Sequence, residues 1–253
     1  MTIKVDLNSD MGEGFGPWKM GDDAALLDVI SSANIACGFH AGDPDVMANT
    51  MRLAAKNGVG IGAHPGFADL KGFGRRRLNI AGEELQNLIA YQLGAAKGMA
   101  ASVGATVRHF KLHGALSNMC SEDASLARLC YEAALRVDPD ITLMVLCETA
   151  QQTAAQDLGA NWVGEIFADR AYEDDATLVD RSKEGAVLHD ANVAAERILQ
   201  MLQEGAIIAE SGKRIPANIG TICLHGDTAE AVEMARALRA KLTSSGVEIA
   251  QFS

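Results

Sequence analysis

Short apolar runs alternate with longer amphipathic stretches along the whole chain, and this order constrains the fold more than any other feature. Residues 3–7, 34–37, 59–63, 107–111, 141–146, 162–164, 221–224 and 247–250 read as strands. Between them, residues 22–31, 43–56, 82–101, 121–135, 148–157, 191–203 and 228–243 carry helical periodicity. Asp43 ahead of Pro44 is a helix start signal, and Gly58 after Asn57 is a stop signal. Strands that alternate with helices pair in parallel through right-handed crossovers, so the class is α/β. A seven- or eight-stranded barrel and an open doubly wound sheet both satisfy that order. Polar residues stand at the ends of many strands instead of at one switch point, which favours the barrel. Residues 167–190 are charged and aperiodic and read as a long functional loop, while a Gly-Lys turn within 207–216 reads as a small hairpin. No repeat or linker interrupts the 253 residues, so a single barrel domain, 1–253, is expected.

Charge and cysteine usage exclude several classes of function. The formal net charge of −11 repels nucleic acid and anionic lipid, and the Arg75-Arg76-Arg77 run is too short to reverse it. The five cysteines form an odd set without CxxC spacing, as in a reduced cytoplasmic protein without a disulfide framework or zinc knuckle. No apolar run reaches the roughly 20 residues that span a bilayer, and the amino terminus reads as a strand instead of a signal peptide. A cytoplasmic location follows as the expectation.

Chemistry concentrates where strands end. Side chains alternate along a strand, so Val5 and Leu7 share one face while Asp6, Asn8 and Asp10 share the other. Carboxylates and an amide inside a barrel are costly unless paired or placed in a site. Glu13 follows in a flexible Gly-rich stretch; an N-cap and turn cluster is the plainer alternative. His109, Lys111 and His113 share a face of the fourth strand, where an inward lysine holds an anion or shifts its pKa. A structural bridge from Lys111 to Asp6 or Asp10 would serve equally well. His40, His64 and His225 also lie at strand ends beside glycine or alanine, whereas His189 beside Asp190 reads as a helix cap. Gly60 and Gly62 leave room on the His64 face. There is no HExxH and no GxSxG, and the glycines at 12–16 and 58–62 are weak evidence for a dinucleotide. Gly205 lies too far from Gly212-Lys213 for a P-loop, so no ATP site of the chain's own is recognisable.

Six segments carry a resemblance: DLNSDMGEGFG (6–16), SANIACGFHAGDP (32–44), GAHPGFADLKGFGRR (62–76), KLHGAL (111–116), FADRAYEDDATLVDRSKEGAVLHD (167–190) and CLHGDT (223–228). In order and spacing they resemble the LamB/YcsF family, the bacterial 5-oxoprolinase A subunits, over essentially the whole chain. Ser9 and Ser117 depart from residues common there, and neither departure removes a charge. The resemblance implies a distorted seven-stranded barrel of the glycoside hydrolase/deacetylase type. It also implies ATP-dependent opening of 5-oxo-L-proline to L-glutamate, with ATP and Mg2+ handled at the level of a complex with subunits B and C. Self-association into a homo-oligomer stays open.

Opening such a lactam needs a base, an acid and cationic stabilisation. Asp10 or His64 is expected to activate water, Lys111 to stabilise the oxyanion or phosphate, and His113 to protonate the leaving nitrogen. Arg170 and Arg76 are the candidates for the substrate carboxylate, with Asp6, Asn8, Glu13, His40, Asp169, His225 and Asp227 as further binding candidates. Two rival readings stand beside this one. Deacetylases of the resembling superfamily hold a metal with one Asp and two His, a set that Asp10, His40 and His64 could supply in a metal-dependent amide or ester hydrolase acting without ATP. Alternatively, the chain delivers substrate to catalytic partner subunits.

Overall fold

The computed structural model describes residues 3–80, 82–224 and 229–252. Its strands are β1 (Lys4–Met11), β2 (Ser32–Ala36), β3 (Gly60–His64), β4 (Val107–Lys111), β5 (Thr142–Leu146), β6 (Trp162–Phe167), β7 (Ala206–Ile208), β8 (Arg214–Pro216), β9 (Thr221–Leu224) and β10 (Glu248–Ile249). The helices are α1 (Asp23–Leu27), α2 (Pro44–Lys56), α3 (Gly82–Ser102), α4 (Gly114–Glu122), α5 (Ala124–Val137), α6 (Ala150–Asp157), α7 (Ala191–Glu204) and α8 (Ala229–Ser244). Strands β1 to β6 pair in chain order and β9 joins both β6 and β1, closing a parallel seven-stranded barrel. Strand β10 adds two residues beside the start of β1. The open doubly wound alternative is thereby excluded, and β7 and β8 form the expected antiparallel hairpin.

The outward face of the barrel is apolar and packs under the helices. Leu7, Ile35, Ile61, Phe110, Val145 and Ile222 are buried there in one continuous core with Leu85, Ile89 and Tyr131. Each such side chain contributes about 1.5–3 kcal/mol of burial, so this outer layer holds the barrel shut. The interior is different. Register places Asp6, Asn8 and Asp10 of β1 on the same inner face as Ser32, Asn34, Gly60 and Gly62 of β2 and β3. His109 and Lys111 of β4, Glu165 of β6, and Thr221 and Cys223 of β9 share that lining with the apolar Met144 of β5 and Val163 of β6. A (β/α) barrel ordinarily fills its interior with branched apolar residues; here polar groups take most of it and hydrogen-bond to one another.

Element boundaries differ from the sequence-based expectation where polar pairing overrides propensity. Strand β1 runs on to Met11 because Asn8 and Asp10 pair with Ser32 and Asn34, and β6 extends past 164 to Phe167. The helix expected at 121–135 is two helices, because Asp123 accepts from Ser125 N and Leu126 N and so caps α5 after α4 has ended. Helix α1 covers only part of 22–31, since Ser31 turns to the barrel floor to accept from Leu7 N and donate to Asp6. Helix α2 starts at Pro44 under an Asp43 cap, as expected.

Candidate active site

A cavity of about 410 Å³ opens at the carboxyl ends of the strands, and Asp10, Glu13, His64, Lys111, His113 and Arg170 line it. Its floor is a chain of polar contacts inside the barrel. Ser31, Ser32 and Thr221 donate to Asp6, and Asn8 Nδ2 donates to Thr221 at 2.8 Å. Asn34 Nδ2 donates to Asn8 Oδ1 at 2.7 Å and Asp10 Oδ1 at 2.9 Å, while His109 Nε2 donates to Asn34 Oδ1 at 2.8 Å. Gly62 makes this possible, because a Cβ there would overlap the His109 ring.

Above that floor Lys111 Nζ lies 2.9 Å from Asp10 Oδ1, 2.8 Å from Glu165 Oε1 and 3.1 Å from Cys223 Sγ. Burial disfavours the Lys111 charge, but Asp10, Cys223 and Glu165 outweigh it and hold the ammonium well above its ordinary pKa. Burial also pushes against the Asp10 carboxylate; His64 and Lys111 win and hold it well below the usual range. Glu165 goes the other way, raised by burial despite Lys111.

Three histidines sit beside this pair. His64 Nδ1 donates to the Lys111 carbonyl at 2.8 Å, and His64 Nε2 lies 3.3 Å from Asp10 Oδ2 and 3.0 Å from His113 Nδ1. His113 Nε2 donates to the Phe73 carbonyl at 2.8 Å, and its ring stacks on His40 at 3.6 Å. Burial, then the neighbouring imidazoles, holds both His40 and His113 well below the ordinary histidine pKa. Phe73 carries a positive φ of 52°, unusual for a bulky residue. Asp69 fixes this turn by accepting from Gly72 N, and Arg76 in turn holds Asp69 with Nε 2.9 Å from Oδ2. Gly74 is required beside it, since a Cβ would come within 2.7 Å of His40 Cβ and 2.9 Å of His113 Cδ2.

The donor types also bear on metal binding. Glu13, His40, His64 and His113 each offer one ligand atom within 4.8 Å of the others. Both ring nitrogens of buried His40 lack a hydrogen-bond partner, which fits a ligand and not a structural histidine. Asp10, in contrast, is engaged by Lys111, Asn34 and His64. The set that converges therefore keeps His40 and His64 from the sequence-based trio and replaces Asp10 with Glu13 and His113.

Residues 5–253 match the LamB/YcsF family. The chain belongs to the LamB/YcsF family. It is 64% identical over 98% of both chains to a 5-oxoprolinase A subunit from Ruegeria pomeroyi. The crystal structure of a lactam utilization protein from Thermus thermophilus superposes with a TM-score of 0.93 at 40% identity, covering 99% of this chain and 100% of that one. A family 4 carbohydrate esterase from Streptomyces lividans shares the fold at a TM-score of 0.52 and 11% identity, covering 99% of this chain and 93% of that one. The expected deacetylase-type barrel is thus the observed one.

In this LamB/YcsF chain the sequence-derived candidates occupy three levels. Asp10, Glu13, His64, Lys111, His113 and Arg170 meet at the cavity. Asp6 and Asn8 lie wholly buried beneath it, His40 backs His113, and Asp169 is buried at the head of the 167–190 loop without lining the cavity. Arg76 is the residue that the structure moves away: it points outward, its side chain 64% exposed, and braces Asp69. His225 and Asp227 lie outside the described residues. Sequence reasoning missed Glu165, although a lone carboxylate in the otherwise apolar WVGEIF run was the available signal. It also missed Asn34, which alternates with Ser32, and the cavity-lining Arg75, Arg77 and Arg181. Nothing local marks those arginines, because loops bring them together. Arg170 anchors the long loop by donating to the carbonyls of Val179 and Ala186, and burial followed by the repulsion of Arg181 lowers its pKa to about 10.

Proposed function

We propose that this chain is the A subunit of an ATP-dependent 5-oxoprolinase and hydrolytically opens 5-oxo-L-proline to L-glutamate. The single observation that carries the reading is the Lys111–Asp10 pair at the cavity, in a chain 64% identical to a relative of that name. A five-membered lactam is a stable amide with a poor leaving group. Transfer of the γ-phosphoryl group of ATP to its carbonyl oxygen releases ADP and makes the ring carbon electrophilic. Water then adds to that carbon, the carbon–nitrogen bond breaks as the nitrogen takes a proton to leave γ-glutamyl phosphate, and a second water hydrolyses this acyl phosphate to glutamate and phosphate.

Within that sequence Asp10, assisted by His64, accepts the proton of the attacking water. Lys111 stabilises negative charge on the carbonyl or phosphoryl oxygen, held by Asp10 and Glu165 where that charge develops. The proton taken from water passes from His64 Nε2 to His113 Nδ1, 3.0 Å away, and from there to the ring nitrogen. Arg170, with Arg75 at the same wall, holds the substrate carboxylate. Asp6, Asn8 and His109 act from below by keeping Asn34 and Asp10 in place. ATP and Mg2+ are handled at the level of a complex with subunits B and C.

The test is production of glutamate and ADP from 5-oxoproline and ATP by this chain alone, and then with B and C partners. Turnover in the complete mixture, abolished by Lys111 substitution in an assembled complex, is the expected result. Absence of turnover beside partners proven active with another A-type chain would overturn the reading. The Glu13–His40–His64–His113 group favours a second reading, a metal-dependent amide hydrolase acting without ATP. Hydrolysis of an amide by this chain alone, lost on chelation, would distinguish it.

A further inference from the structure

The histidine cluster has a proton-counting problem. A carbonyl oxygen only accepts, so His64 Nδ1 carries the hydrogen it shares with Lys111 O, and His113 Nε2 carries the one it shares with Phe73 O. A neutral imidazole has a single N–H. His64 Nε2 and His113 Nδ1 therefore present lone pairs to each other at 3.0 Å, with a carboxylate oxygen of Asp10 3.3 Å from the same His64 nitrogen. With both rings neutral, three acceptors converge on one point, which only a shared proton or a cation can occupy.

One extra proton would satisfy His64 and His113 but would leave the rest unexplained. His40 is 1% exposed and neither of its ring nitrogens has a hydrogen-bond partner. Its Nε2 lies 3.7 Å from Glu13 Oε1, which in turn is 4.0 Å from His113 Nδ1. A buried imidazole is normally paired, because one left bare has lost its water without a replacement partner. A single divalent cation accounts for Glu13, His64, His113 and one ring nitrogen of His40 together, because it accepts lone pairs from every side.

We propose that Glu13, His40, His64 and His113 form a binding site for one divalent transition ion of the zinc or cobalt type. Three imidazoles and one carboxylate suit such borderline ions and not Mg2+ or Ca2+, which take oxygen ligands. The ligand atoms already lie within 4.8 Å of one another, and four-coordinate zinc with bonds of about 2.0–2.2 Å needs a contraction of little more than an ångström. Backbone carbonyls orient two of the rings through their far nitrogens, the usual outer support of a metal-binding histidine. An ion there supplies Lewis-acid polarisation of a carbonyl or phosphoryl oxygen in the cavity. His64 and His113 then serve as ligands in place of their proton-carrying roles, and Asp10 beside Lys111 takes the proton from water and returns it to the ring nitrogen.

The inference rests on the same cavity as the lactam-opening reading, but its test measures metal and not turnover. Tag-free full-length chain is dialysed against chelator and titrated with Co2+, following the visible ligand-field absorption, with Zn2+ added in competition. The expected result is one Co2+ per chain with intense low-symmetry bands that Zn2+ abolishes. Affinity should fall at least tenfold in His40→Ala and in Glu13→Gln, each checked for native circular dichroism. Glu13→Gln lies in a loop and keeps the experiment decisive if a histidine variant does not fold. Absence of a saturable band, or unchanged affinity in the folded variants, overturns the proposal and leaves a shared proton between His64 and His113. Metal binding without oxoprolinase turnover sinks only the functional reading, and turnover by a chain that binds no ion sinks only this one.

Discussion

Lys111 and Glu165 meet across the barrel with Nζ 2.8 Å from Oε1, both almost fully buried, with β5 between the strands that carry them. The lysine therefore stands between two carboxylates, Asp10 on one side and Glu165 on the other. Lys111→Met leaves both of them without their cation, and breaking a buried pair in this way costs about 3–5 kcal/mol. The single variant should show a clearly lower denaturation midpoint as well as lost turnover. Lys111→Met combined with Glu165→Leu should regain most of the stability and none of the turnover. Equal stability of the single variant and the parent protein would mean that the bridge is not formed.

Gly62 is coupled to His109 through space that no side chain can share. Gly62→Ala should destabilise by about 1–3 kcal/mol, the usual cost of overpacking. Urea denaturation should show a lower midpoint with an unchanged slope, because the unfolded chain is little altered. A neutral effect would show that the His109 ring has another position available.

His109 also predicts a pH dependence of stability. Burial, then the charges of Lys111 and His64, lowers its pKa to about 3, while the unfolded value is about 6.5. A folded value below the unfolded one means that the unfolded chain binds the proton first. The contribution is full above about pH 6.5 and is lost progressively as pH falls toward 3. At about 1.4 kcal/mol per pH unit, the loss is on the order of 5 kcal/mol if the whole interval is traversed. His109→Gln should flatten the stability profile between pH 6.5 and 4.5 by denaturant titration, and an unchanged slope would assign the acid sensitivity to other groups.

Arg76 and Arg170 should separate cleanly in kinetics of the assembled enzyme. Arg76 faces solvent and holds Asp69, so Arg76→Ala should change KM less than about twofold while kcat falls several-fold as the Phe73 turn loosens. Arg170 lines the cavity and anchors the loop, so Arg170→Lys should raise KM at least tenfold, about 1.4 kcal/mol of lost binding. A large KM effect from Arg76→Ala would place it back at the substrate.

The sequence by itself determined the α/β class, the alternation of strands with helices and the face on which the polar strand-end residues lie. These follow from local periodicity: Asp6, Asn8 and Asp10 alternate with Val5 and Leu7, and His64, Lys111 and His113 all stand at strand ends. Closure of the barrel was not local, because β9 must reach both β6 and β1. Tertiary structure alone decided which of the charged groups touch. Glu165 reaches Lys111 from two strands away, His40 stacks on His113 from another loop, and Arg76 turns outward while Arg75 and Arg77 line the cavity. Periodicity specifies the face on which a side chain lies. Partnership depends on the stagger between strands and on the path of loops, and residues distant in sequence set both.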